Sequence, residues 1–210
     1  MALFRKFFNQ TRKPKGFLGK LMLSGMNSGH AKLADWGFEH PPELTVSAAV
    51  DLGCGGGRNA GALLKKYPAA QVTAIDYSAL CVEKAKTYNR AMIAAGRCTV
   101  RQGDVSDLQL PASSFDLATA FETIYFWPGL ENCFAQAAKV LKPGGVFLIC
   151  NESDGTDPTG VKFETIIDGM KSYTPQEIEA ALKAAGFSQV MTAHHPTKPW
   201  ITVLARKGEA

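Results

Sequence analysis

At 210 residues, with 46% hydrophobic and 20% charged side chains, the chain has the makings of one core and a modest extension, and no apolar run approaches the roughly 18 residues that span a bilayer. Its five scattered cysteines, Cys54, Cys81, Cys98, Cys133 and Cys150, lack a CxxC pair and nearby histidines, which disfavours a disulfide or zinc framework and points to reduced cytoplasmic thiols. The net charge of +4 comes from residues 1–20, which hold Arg5, Lys6, Arg12, Lys13, Lys15 and Lys20 and no acid, so the body carries 17 basic against 19 acidic residues and nucleic acid is a poor partner for it.

Residues 1–40 make the first region. The basic stretch is interleaved with Phe4, Phe7, Phe8 and Phe17, and Pro14 and Gly16 interrupt any long helix, so a helical cap over a site is expected, with weak membrane-surface contact as the second reading. No apolar core followed by a small-residue cleavage site marks a secretory leader. Residues 41–210 make the second region. Val46–Leu52 predicts a strand, Arg58–Tyr67 a helix stopped by Pro68, Gln71–Ile75 a strand, Ala79–Ala95 a helix closed by Gly96, and Cys98–Gln102 a third strand. Phe115–Phe121 predicts a fourth strand, Leu130–Leu141 a helix ended by Lys142-Pro143-Gly144-Gly145, and Val146–Cys150 a fifth. After a polar stretch, Thr174 caps a helix over Pro175–Ala185, and Phe187–Thr192 and Trp200–Ala205 form two last, antiparallel strands. This alternation predicts an α/β, Rossmann-like doubly wound sheet of about seven strands, mostly parallel with an antiparallel C-terminal strand. Its ligand site should lie outside the carboxyl ends of strands one, two and four.

The segment Asp51-Leu52-Gly53-Cys54-Gly55-Gly56-Gly57-Arg58 runs from a strand through a glycine cluster into a helix, where missing side chains allow a ligand to touch the main chain. A dinucleotide GxGxxG fingerprint would need glycine at position 58, which is Arg58. Asp51-x-Gly53-x-Gly55-x-Gly57 instead resembles the first motif of the class I S-adenosylmethionine-dependent methyltransferases. Asp76, at the end of the second strand, suits the two hydroxyls of a ribose. Gly103-Asp104-Val105 resembles that family's adenine loop, and Phe115–Phe121 and Leu141-Lys142-Pro143-Gly144-Gly145 are similar to its later motifs. The resemblance covers roughly residues 46–150. It implies S-adenosylmethionine as cofactor, held by Asn27, Asp51, Gly53, Cys54, Gly55, Gly57, Asp76, Tyr77, Asp104, Val105 and Phe121.

Methyl transfer from a sulfonium is a direct in-line displacement in which the protein mainly positions and desolvates, with a base only where the acceptor must lose a proton. The residues expected at the methyl are Glu122, Tyr125, Phe126 and Trp127, together with His30 from the first region. Phe121-Glu122-Thr123-Ile124 stands where amino-group methyltransferases of adenine or glutamine resemble one another in Asn/Asp-Pro-Pro-Tyr/Phe, so a small-molecule acceptor of the ubiquinone or sterol methyltransferase-like group is implied. His194-His195 is expected in a surface turn. Chain spacing shows no metal ligand set, so no metal is expected. The competing readings are a methyltransferase-like binding domain without catalysis, an NAD-type oxidoreductase and an RNA methyltransferase. Acceptor identity and oligomeric state lie beyond the sequence.

Overall fold

A computed structural model describes residues 30–209. Along the chain α1 (Ala31–Gly37) precedes β1 (Ala48–Leu52), α2 (Arg58–Lys66), β2 (Gln71–Asp76), α3 (Ala79–Tyr88), α4 (Arg90–Ala94), β3 (Cys98–Gln102) and β4 (Phe115–Phe121). A 3-10 turn, Ile124–Phe126, then leads to α5 (Leu130–Val140), β5 (Leu141–Asn151), α6 (Pro158–Ile166), α7 (Pro175–Ala184), β6 (Phe187–His194) and β7 (Ile201–Lys207). All seven strands join one sheet in the order β3-β2-β1-β4-β5-β7-β6. β7 runs antiparallel to both neighbours and every other pair is parallel. The expected Rossmann-like sheet with its antiparallel C-terminal strand is therefore the fold. Strand order reverses between β1 and β4, which places the ligand crevice at their carboxyl ends.

Strands covered on both faces read as near-continuous apolar runs. One face packs Phe134 of α5 and Ile178 and Leu182 of α7 onto Phe147 and Ile149; the other packs Leu63, Leu64, Val82 and Ala85 of α2 and α3 onto Ala49, Val72 and Ala74. Phe134 and Phe147 meet edge to face at 5.6 Å. Full burial of each such ring contributes about 1.5–3 kcal/mol. α1 belongs to this second core through Leu33, Ala34 and Phe38. It lies directly on β5: a Cβ on Gly37 would come within 2.7 Å of Cys150 Sγ, and that thiol donates to the Leu33 carbonyl at 3.6 Å. Trp36 fastens the other side of α1, with its ring 5.4 Å from His195 and 6.2 Å from Trp200. His194 is exposed, but His195 sits half-buried in this aromatic cluster rather than loose in a turn.

Three elements depart from the expected ones. The helix predicted over Ala79–Ala95 breaks at Asn89, whose buried side chain donates to the carbonyls of Gly57 and Ala85 at 2.9 and 3.1 Å. β5 begins at Leu141, five residues early, because Leu141 pairs with Phe115 and Lys142 bonds Asp116 on β4. α6 went unseen because only Gly160 of its residues is buried, which leaves no apolar period. Its start was nonetheless written locally, in the Asp157 cap accepting from Gly160 and in Pro158. Among the described residues no helix is long and apolar enough to cross a membrane.

Candidate active site

A cavity of about 270 Å³ opens at the carboxyl ends of β1, β2, β3 and β4. Three glycines turn the chain at the end of β1, each with positive φ and each for a different reason. A Cβ on Gly53 would strike Thr123 Oγ1 at 2.1 Å, and one on Gly57 would strike Ala85 Cα at 2.7 Å. A Cβ on Gly55 would meet no protein atom within 4 Å; it would stand on the cavity wall instead. Gly53 and Gly57 let the loop pack, while Gly55 keeps a cradle open at the cavity.

Asp76 closes one edge of that cradle. Its Oδ2 accepts from the Gly55 amide at 2.9 Å and its Oδ1 from the Ser78 amide at 2.8 Å, while Ser78 caps α3. Each oxygen retains acceptor capacity toward the cavity it lines. Burial pushes the Asp76 pKa up, partly offset by these amides. Asp104 is more exposed; the Ser106 hydroxyl and amide both bind its Oδ1 and lower its pKa. Beneath the loop, Asp51 accepts from the Thr119 hydroxyl at 2.8 Å, and its buried Oδ2 has no hydrogen-bond partner. Burial, reinforced by the charge of Asp76, raises Asp51 to about 7 against the partly opposing Thr119 bond. Burial also raises the thiols of Cys54 and Cys81, the latter to about 12, so both face the cavity as neutral groups.

At the end of β4 Glu122 adopts φ +57°, a conformation that costs a non-glycine residue energy and that the packing around it must enforce. Its Oε1 accepts from the Tyr125 hydroxyl at 3.1 Å and from the Glu152 amide, and the Ser153 amide donates to the same hydroxyl at 3.1 Å. Burial is the main cause that lifts Glu122 to about 7, with the Glu152 charge adding to it and His30 opposing. Burial also holds Tyr125 well above its ordinary value, so its hydroxyl stays a donor. Glu122 Oε2 and Glu152 Oε2 lie 3.9 and 3.5 Å from His30 Nε2.

Of the residues singled out in the sequence, His30, Gly53, Cys54, Gly55, Asp76, Tyr77, Asp104, Val105, Phe121 and Glu122 converge on this cavity, as do Phe126 and Trp127. Asp51, Gly57 and Tyr125 stand behind its wall, and Asn27 and residues 1–20 lie outside the described residues. Trp127 also stacks on Phe147 and donates to Thr123 Oγ1 at 3.2 Å, which anchors the turn. Sequence reasoning missed Asn89, Thr119, Thr123 and Glu152. Glu152 follows β5 and reaches the site only through the β4–β5 pairing, so its position in the chain carried no signal. His30, Glu122 and Glu152 bring one imidazole nitrogen and two carboxylate oxygens within 4.8 Å of one another.

Residues 50–149 match a family model described as a methyltransferase domain. The sterol 24-C-methyltransferase ERG6B of Gibberella zeae is 27% identical over 168 residues, 72% of this chain and 43% of that protein. Sterol methyltransferase-like 2 of Botryococcus braunii is 31% identical over 147 residues, 66% of this chain and 38% of that protein. The chain thus spans less than half the length of these relatives. An O-methyltransferase family protein from Burkholderia thailandensis superposes with a TM-score of 0.77 at 15% identity, over 90% of this chain and 59% of that one, a likeness of fold. With its motifs in order on this sheet and the domain match running from β1 into β5, residues 50–149 form a methyltransferase domain of the class I S-adenosylmethionine-dependent type.

Proposed function

We propose that the chain transfers a methyl group from S-adenosylmethionine to a small-molecule acceptor by direct in-line displacement. The observation that carries this reading is one cavity walled by the open glycine cradle and Asp76 at one end and by the buried carboxylate of Glu122 at the other. Asp76 would take the ribose hydroxyls on its remaining acceptor positions, and Asp104 with Val105 would meet the adenine. Gly53, Cys54, Gly55, Tyr77 and Phe121 would supply the walls, with Gly57 shaping the loop. Asp51, behind the cavity wall, would act on the amino group of the cofactor's methionine end through its field rather than by contact. When bound, S-adenosylmethionine supplies a methyl carbon made electrophilic by a cationic sulfur.

A neutral acceptor that gains a methyl must give up a proton. Glu122 is placed to take it: a group with a pKa of about 7 is matched to proton transfer near neutrality, and the carboxylate form is available above that pH. Tyr125 holds Oε1, which leaves Oε2 for the proton, and is a positioning residue. His30 stands across from Glu122 on the same wall. The sterol methyltransferases among the relatives make a sterol one acceptor to be tried.

The test is thermal unfolding of the ligand-stripped protein with S-adenosylmethionine, S-adenosylhomocysteine or NAD. A ligand at a hundred times its dissociation constant stabilises by roughly 2.7 kcal/mol. The two sulfur nucleosides are expected to raise Tm and NAD to leave it unchanged; a shift with NAD alone would return the oxidoreductase reading. Asp76→Ala should weaken S-adenosylhomocysteine binding by roughly 1.5–3 kcal/mol in titration calorimetry, and unchanged affinity would remove Asp76 from the ribose site.

A further inference from the structure

Resting on the reading above, we infer that the acceptor is an amine, bound as its ammonium ion by Glu122 and Glu152 where Phe126 and Trp127 line the cavity. The charges around the cavity favour this class. Its wall carries Asp76, Asp104 and Glu122, and its one arginine, Arg58, is already bonded to Asp35 and Asn59. A carboxylate or phosphate acceptor would meet like charge, with no free guanidinium among the described lining residues to receive it. The acceptor end is more acidic still. Glu122 is 11% exposed and Glu152 55% exposed, both within 3.9 Å of a His30 that is itself 32% exposed. A carboxylate as buried as Glu122 needs a cation partner to ionise at low cost, and among the described residues no lysine or arginine supplies one. His30, Glu152, Tyr125 and the thiol of Cys150 are the titratable groups that face it. The oxygens of Glu122 and Glu152 that flank His30 Nε2 lie within 4.8 Å of each other, close enough for N–H donors of one ammonium to reach both from beside the imidazole. Phe126 and Trp127 line the same cavity, and aromatic side chains there attract a cation and leave an uncharged alcohol less well held.

The ammonium gives one proton to Glu122 Oε2. The freed nitrogen lone pair then forms the N–C bond as the methyl–sulfur bond breaks, with its electron pair staying on sulfur. One methyl moves and one proton is released; nothing is oxidised. Glu152, which nothing in the sequence marked, acts as the second ammonium acceptor. Because Glu122 must be ionised to take the proton, kcat/KM, which reports the free enzyme, should rise as pH climbs through about 7.

The experiment follows tritium from methyl-labelled S-adenosylmethionine into alkyl and arylalkyl amines, the matched alcohols and carboxylates, and a sterol, all with the full chain. Label is expected in amines. Glu152→Gln should raise KM for the labelled amine at least tenfold, with S-adenosylhomocysteine affinity unchanged and the rise of kcat/KM moved to lower pH, because the Glu152 charge helps hold Glu122 up. Labelled alcohol, carboxylate or sterol without labelled amine overturns the amine assignment, as does an unchanged KM in Glu152→Gln. No labelled amine while S-adenosylhomocysteine still raises Tm also removes it and leaves the methyltransferase reading standing. If neither sulfur nucleoside shifts Tm, the methyltransferase reading itself fails. A dependence of labelling on added Mg²⁺ or Mn²⁺, abolished by EDTA, would give the carboxylates to a cation other than the ammonium and overturn the proposal.

Discussion

Asp76 and Glu122 are both largely buried carboxylates on one cavity wall, yet they are built in opposite ways. Asp76 takes its two hydrogen bonds from amides that belong to the glycine loop and to the start of α3, so two βα turns suffice to hold it. Glu122 is held by Tyr125 in the following turn and by the Glu152 amide beyond β5, and it faces His30 from before α1. The first is a rigid rim made of backbone, suited to a ligand whose shape never changes. The second gathers side chains from distant elements at a strained residue. Local construction suits a common cofactor, and assembled construction suits a particular acceptor.

The sharpest way to break this contrast is Glu122→Gln, which keeps shape and removes the base. A positioned base contributes at least about 100-fold. We expect kcat to fall by that factor while S-adenosylhomocysteine affinity moves less than about threefold, under 1 kcal/mol; equal losses in both would make the two ends one unit. Next in size is a pair within the glycine loop. Gly57→Ala combines left-handed strain with a collision against Ala85 and should cost about 3 kcal/mol in urea unfolding. Gly55→Ala should cost about 1 kcal/mol of stability and instead weaken cofactor binding, because its methyl enters the cavity. If Gly55→Ala bound S-adenosylhomocysteine normally, the cradle would lie elsewhere.

The smallest effect tests the burial of Asp51. Its folded pKa of about 7 lies above the ordinary 3.8, so the folded chain keeps a proton that the unfolded chain sheds between those values. Stability from this group is therefore lost as pH rises from about 4 to 7 and stays level above. Asp51→Asn removes that cost but buries an amide, so we expect a net gain of about 1–2 kcal/mol at pH 8 and none at pH 4. A variant less stable than its parent at pH 8 would mean that Asp51 has a cation partner in the folded protein.

How much of this was legible follows from the same contrast. The glycine loop, Asp76 and Asp104 were visible because each acts within a few residues of a strand end, where chain order and function coincide. Asn89 was hidden inside a helical pattern, since what it satisfies is the Gly57 carbonyl 32 residues earlier. Thr119 looked like any small strand residue until the β1–β4 register set it beside Asp51. Glu122 was noticed as the polar residue after β4, but its raised pKa comes from burial reinforced by the Glu152 charge, against the opposing effects of His30 and Tyr125, and none of this follows from its place in the chain.

Chain order alone carried the alternating elements, the parallel sheet with one reversed strand and the glycine loop after β1, because hydrophobic period, capping and glycine turns are local properties. What needed the tertiary structure was the burial of Glu122, the approach of Glu152 beside it and the bond from Tyr125 behind the wall. Those are facts of desolvation and of distance between elements far apart in the chain, and a pattern of neighbours along one strand carries neither.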